Sequence, residues 1–111
     1  MKIQESKQGA VTVLKPAGPL IQNDAGEFKS VATRVLESSL GRFVVDLSAI
    51  PYIDSQGLET LVDVTEHLAN SGQSLKLCAA NKTVREVLNL AGIAQLFEHF
   101  DDVNTAIRSF L

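Results

Sequence analysis

Hydrophobic and polar positions alternate along Val11-Thr-Val-Leu-Lys15, and the β-branched residues there mark a strand. Lys2 to Lys7 reads as a weaker edge partner, with Gln8-Gly9 as the turn between the two. Pro16 and Pro19 then end the strand pair, because neither can donate to a ladder. The period changes after them. Asp24 suits a helix N-cap, and Phe28, Val31, Ala32, Val35 and Leu36 recur at helical spacing until Gly41. Arg42 to Leu47 is apolar at almost every position, as in a central strand covered on both faces. A second helix carries Leu58, Leu61, Val62, Thr65, Leu68 and Ala69 on one face, with Glu59, Asp63, Glu66 and His67 on the rest; Gly72 stops it. Ser74 to Ala79 is another strand. Asn81 or Thr83 opens a third helix with Val84, Val87, Leu88 and Ala91 inward, ended by Gly92. Ala94 to Phe100 reads as a short last strand, and Asp101-Asp102 caps a C-terminal helix with Val103, Ala106, Ile107 and Phe110 inward. The order ββαβαβαβα demands parallel neighbours and right-handed crossovers, hence an α/β or α+β sheet with helices packed against it.

The chain of 111 residues fits one domain, 1–111, able to bury a core without disulfides or metal. A net charge of −3, with scattered Lys and Arg, points away from nucleic acid and anionic membranes. No apolar run is long enough to span a bilayer, and Met1 to Ser6 has no apolar signal region. The single cysteine, Cys78, fits a reduced, cytoplasmic location and reads as a small core residue.

The chemistry concentrates in Asp46-Leu-Ser-Ala-Ile-Pro-Tyr-Ile-Asp54-Ser55-Gln56-Gly57-Leu58. A buried strand runs into a loop that delivers Asp-Ser-x-Gly to the start of an amphipathic helix. A hydroxyl there meets unpaired N–H groups and the positive end of the dipole, which suits a phosphate. The same residues also suit ordinary capping, and the two uses are compatible: Asp54 caps while Ser55 accepts phosphate. Asp46 and Ser48 read as residues that order the loop. Gly57 leaves the loop unshielded, so a partner's active site can approach the backbone.

Ser55 lacks a base for nucleophilic catalysis. Of the two histidines, His67 lies along the same helix, about 18 Å away at about 1.5 Å per residue, and nothing places His99 nearby. Gly-x-Ser-x-Gly is absent. One Cys and two distant His offer no metal-ligand spacing, and Gly18-Pro19-Leu20 is no phosphate-binding loop. No catalytic residue, cofactor or metal is therefore expected. Glu59, Asp63 and Glu66 form a solvated face, or a surface for basic residues of a partner.

Several stretches together resemble the STAS domain family, and within it the bacterial anti-sigma factor antagonists. They are Gly18-x-Leu20, the helix opening at Asp24-Ala25, Val44-Val-Asp-Leu-Ser48, Tyr52-Ile-Asp-Ser-Gln-Gly-Leu58, Leu75-Lys-Leu-Cys-Ala79, Val84 to Gly92, and Leu96-Phe97. The resemblance implies an α/β fold: a mixed sheet of four or five strands with helices packed mainly on one face. It also implies a switch rather than an enzyme. The serine matching Ser55 is phosphorylated by a partner that is both anti-sigma factor and serine kinase. The unphosphorylated antagonist binds that partner and frees the sigma factor, phosphorylation breaks the complex, and a serine phosphatase restores it. The implied partner surface is Ile21, Gln22, Asn23, Asp24, Asp54, Ser55, Gln56, Gly57, Leu58 and Glu59. Nothing in the sequence requires a dimer, so a monomer is expected.

Two positions depart from the family pattern. An acidic residue often follows Gly-x-Leu, and here that place holds Ile21; Ser, Thr or Ala commonly follows the phosphorylated serine, and here it is Gln56. Both departures bear on which partner is used. A second reading keeps the fold and makes the chain a partner-switch or adaptor subunit for a target other than a sigma factor, in signalling, secretion or lipid transport.

Overall fold

The computed structural model describes residues 1–111. Five strands form one mixed sheet in sequential order: β1 (Lys2–Gln8), β2 (Val11–Ala17), β3 (Phe43–Asp46), β4 (Lys76–Cys78) and β5 (Glu98–Phe100). β1 and β2 form an antiparallel hairpin, and every later neighbour is parallel. The crossovers are α1 (Gln22–Ser38), α2 (Ser55–Ala69) and α3 (Lys82–Leu90), and α4 (Val103–Arg108) follows β5.

The strand order never reverses. Right-handed crossovers that always step the same way place all their helices on one face. The core bears this out: Leu14, Phe43, Val45 and Leu77 of the sheet, with Leu47 just past β3, pack with Phe28 and Val35 of α1, Leu61 and Leu68 of α2, and Val84 and Leu88 of α3. The alternate positions Val11, Val44 and Cys78 point to the opposite face, where Ala106 of α4 covers them. The fold is thus α/β, with helices mainly on one face and one short helix behind.

Several boundaries differ from the sequence reading. Strand β2 does not stop at Pro16 but runs through it to Ala17, pairing Pro16 with Ile3. Thr12, Gly18 and Leu20 donate to Arg42, Ala49 and Tyr52, so even-numbered N–H groups face β3. Pro16 falls on that side just past Leu14, where the β2–β3 register ends, so its missing donor costs no ladder bond. The hairpin turn sits at Gly9-Ala10, with Gly9 at φ +64°. Ala94–Leu96 forms a 3₁₀ turn, leaving only Glu98–Phe100 as strand. Ala91 is exposed rather than inward, because α3 ends one residue before it.

Candidate functional site

Strands β2 and β3 are parallel, so the loops leaving them emerge at the same end of the sheet. The two loops are stitched together. Leu20 and Ile53 form a parallel bridge, Leu20 N donates to Tyr52 O (3.1 Å), and Asp54 N donates to Leu20 O (3.3 Å). Gly57 lies buried against this seam. A Cβ on it would stand 2.2 Å from the Leu20 carbonyl oxygen and 2.5 Å from Ile53 Cγ2, so no other residue fits. The expectation that Gly57 admits a partner's backbone is corrected: the close approach it permits is to Leu20 of the same chain.

Asp24 does not cap α1 as its position suggests. The helix begins at Gln22, with Ile21 at its N-cap and no side-chain cap of its own. Asp24 sits in the first turn, and its carboxylate lies 3.3 Å from the Met1 amino group. The reason for the earlier start is Asp54. Its Oδ1 accepts from Gly57 N (2.9 Å), capping α2, while its Oδ2 accepts from Gln22 N (3.1 Å), the first N–H of α1. One carboxylate therefore serves two helices. Gln22 holds φ +49°, a region that costs a side-chain-bearing residue energy.

Ser55 is the first residue of α2 and is exposed. Since Asp54 is the cap, the Ser55 hydroxyl is spared that task. Gln22, Asn23, Gln56 and Glu59 are exposed around it, whereas Ile21, Asp24, Asp54 and Leu58 are half-buried, Leu58 packing against the core. A shallow groove of about 290 Å³ between α1 and α2 is lined by Gln22, Asn23, Gly26, Gln56, Glu59 and Asp63, among others. Thr60 Oγ1 donates to Ala25 O (3.3 Å), and Lys29 Nζ meets Asp63 Oδ2 (3.0 Å), locking the two helices side by side. Of the acidic face, Asp63 is thus already paired, and Glu59 and Glu66 remain exposed.

The other flank of the loop is held by a residue that the sequence marks only as a helix opener. Asn81 caps α3 through Val84 N (2.8 Å), and its Nδ2 donates to Ile50 O and Pro51 O (3.2 Å each). Asp46 Oδ1 accepts from Ser48 N (2.9 Å), the loop-ordering role expected of it. Tyr52, 48 % exposed, is an aromatic close to Ser55 in the same loop that the sequence reading does not assign to the site. No sequence pattern marks it, since Pro51 and Tyr52 are both exposed in a loop without strand alternation and only Ile53 turns inward.

His67 sits in the last turn of α2, at the far end from Ser55. His99 lies on β5, two strands from β3, with Nε2 2.6 Å from Ala94 O. Cys78 is buried behind the sheet, where burial, then the charges of Asp46 and Asp102, push its thiol up to about 12. No helix is long and apolar enough to cross a membrane.

The profile of the STAS domain family matches residues 2–106. The chain belongs to that family. This STAS domain is 28% identical over 107 residues to the anti-sigma-F factor antagonist RsfB of Mycobacterium tuberculosis, covering 87% of this chain and 85% of RsfB. Its fold superposes on TM1081 of Thermotoga maritima with a TM-score of 0.87 at 24% identity, covering 96% and 92% of the two chains. SpoIIAA, an anti-sigma factor antagonist of Bacillus, shares the fold in its unphosphorylated form with a TM-score of 0.75 at 15% identity, over 98% of this chain and 96% of SpoIIAA. SpoIIAA in its phosphorylated form gives 0.71 at 14% identity, over 99% and 100%.

Proposed function

We propose that this STAS domain is an anti-sigma factor antagonist, acting as one unit across residues 1–111. Its unphosphorylated form binds an anti-sigma serine kinase and frees the sigma factor; phosphorylation of Ser55 ends that binding, and a serine phosphatase reverses it. The protein works as a cytoplasmic monomer without cofactor, and as a binding switch rather than an enzyme. The observation that carries this reading is the division of labour at the start of α2: Asp54 caps, and Ser55 stands exposed beside it with its hydroxyl available. The antagonist names of RsfB and SpoIIAA support it.

The physics of the switch is local. A phosphoserine adds about −1.5 to −2 charge and three acceptor oxygens. At Ser55 this arrives next to Asp54 and a turn from Glu59, and the loop from Asp46 to Gly57 contains no Lys or Arg to neutralise it. A partner shaped to the neutral loop meets new bulk and repulsion, so no refolding is needed. The test is to recover binding partners by pulldown, incubate the protein with the recovered kinase and ATP, and map phosphate by mass spectrometry. Phosphate at Ser55, lost in Ser55→Ala, is expected. An unmodified Ser55 with full function retained in Ser55→Ala rejects the switch. Ile21 and Gln56 favour a second reading, a STAS subunit whose target is not a sigma factor. The same pulldown separates the two by the identity of the captured protein.

A further inference from the structure

We infer that Asp54 is the positioning residue that makes the two loops one preformed binding surface, rather than a contact for the partner; this rests on the reading of Ser55 as the switch. Three observations converge on it. Helix α1 begins at Gln22 with Ile21 at its N-cap, a residue with no side chain able to cap, and Asp54 supplies the missing acceptor from a different loop. Gln22 is held at φ +49°, and a strained residue persists only where its surroundings dictate it. The seam beneath is already tight: the Leu20–Ile53 bridge and the packing of Gly57 on Leu20 leave the carboxylate as the bond that fixes the loop tip above. Both carboxylate oxygens are committed to backbone N–H groups of this chain, Oδ1 to Gly57 and Oδ2 to Gln22. Asp54 is also half-buried, whereas the groups it presents, Gln22, Asn23, Ser55 and Gln56, are exposed.

A clamp of this kind lets a partner meet Pro19–Asp24 and Ile53–Leu58 as a single rigid patch, without ordering either loop on binding. It also explains why Asp rather than Asn, Ser or Thr stands at this N-cap. All four cap a helix well, but only a carboxylate offers two oxygens that both accept. The substitution Asp54→Asn keeps one acceptor for Gly57 and turns an N–H₂ donor toward the Gln22 N–H.

That asymmetry supplies the test. Amide hydrogen exchange is measured by NMR in the wild type, Asp54→Asn, Asp54→Ala and Ser55→Ala, with thermal melting alongside. In Asp54→Asn, Gly57 should stay protected while Gln22 exchanges about tenfold faster or more, with a melting temperature close to wild type; Ser55→Ala should change neither amide. In Asp54→Ala both amides should lose protection. Unchanged Gln22 protection in Asp54→Asn overturns the clamp, as does joint loss of both amides with a large fall in melting temperature, the mark of a plain helix cap. These readouts need no partner, so they stand apart from the fate of the switch itself. With the kinase recovered by pulldown, Asp54→Asn should bind about tenfold more weakly than Ser55→Ala. Equal binding despite a released Gln22 overturns the positioning role.

Discussion

At the scale of single residues, the site depends on what each side chain leaves free. Ser55 is available because its neighbour performs the capping. A negative charge at this position should therefore act on the partner and not on the fold. Ser55→Asp is expected to weaken the kinase complex by about a hundredfold or more, corresponding to about 3 kcal/mol of lost contact, while thermal melting stays within a few degrees of wild type. Calorimetric titration and a melting curve check the two halves; unfolding by Ser55→Asp would make the site structural. Gly57 behaves in the opposite way. Gly57→Ala drives a methyl into the Leu20 carbonyl, which is backbone and cannot swing aside. A loss of about 2–3 kcal/mol in urea denaturation is expected. Asp-Ser-x-Gly is legible as a motif, but the reason for its glycine is not, because Leu20 is distant in sequence and nothing local announces its carbonyl.

At the scale of elements, the loop bearing Ser55 is held from both sides, by Asp54 toward α1 and by Asn81 toward α3. Asn81→Ala removes a cap and two donors to the Ile50–Pro51 backbone. It should cost about 2 kcal/mol and speed proteolysis within that loop, read by denaturation and limited digestion. The helices themselves are visible from periodicity, since Phe28, Ala32 and Val35, or Leu61 and Leu68, recur at the spacing of one face. Their boundaries are less so. α1 starts before Asp24 because its cap comes from another loop, and β2 passes through Pro16 because the adjacent register ends there. Both differences share a cause: the deciding hydrogen bond, or its absence, involves a residue far along the chain.

At the scale of the whole molecule, one face of the sheet carries three helices and the other is closed by α4 alone. This makes α4 more important than its six residues suggest. Ala106→Glu places a charge on the cluster of Val11, Val44 and Cys78 and should lower stability by about 3 kcal/mol. It should also let a thiol reagent reach Cys78 in native buffer, whereas the buried wild-type thiol should stay unmodified. The same thiol has a pH signature. Folding raises its pKa from 9.0 to about 12, so above pH 9 the unfolded chain releases a proton that the folded chain keeps. Stability from this group is full below pH 9 and is lost as pH rises toward 12. Melting temperature should fall over that window, and fall less in Cys78→Ala.

The sequence by itself determined the element order, the α/β class, most of the inward positions of the helices (Ala69 and Ala91 being exposed) and the place of Ser55 at a helix start. Each of these is written in local periodicity or in a short motif. Only the tertiary structure decided that Asp54 serves two helices, that Gly57 makes room for Leu20, that Asn81 ties the loop to α3, and that α4 lies behind the sheet. These are contacts between residues brought together by parallel strand pairing, and no pattern within a single element encodes them.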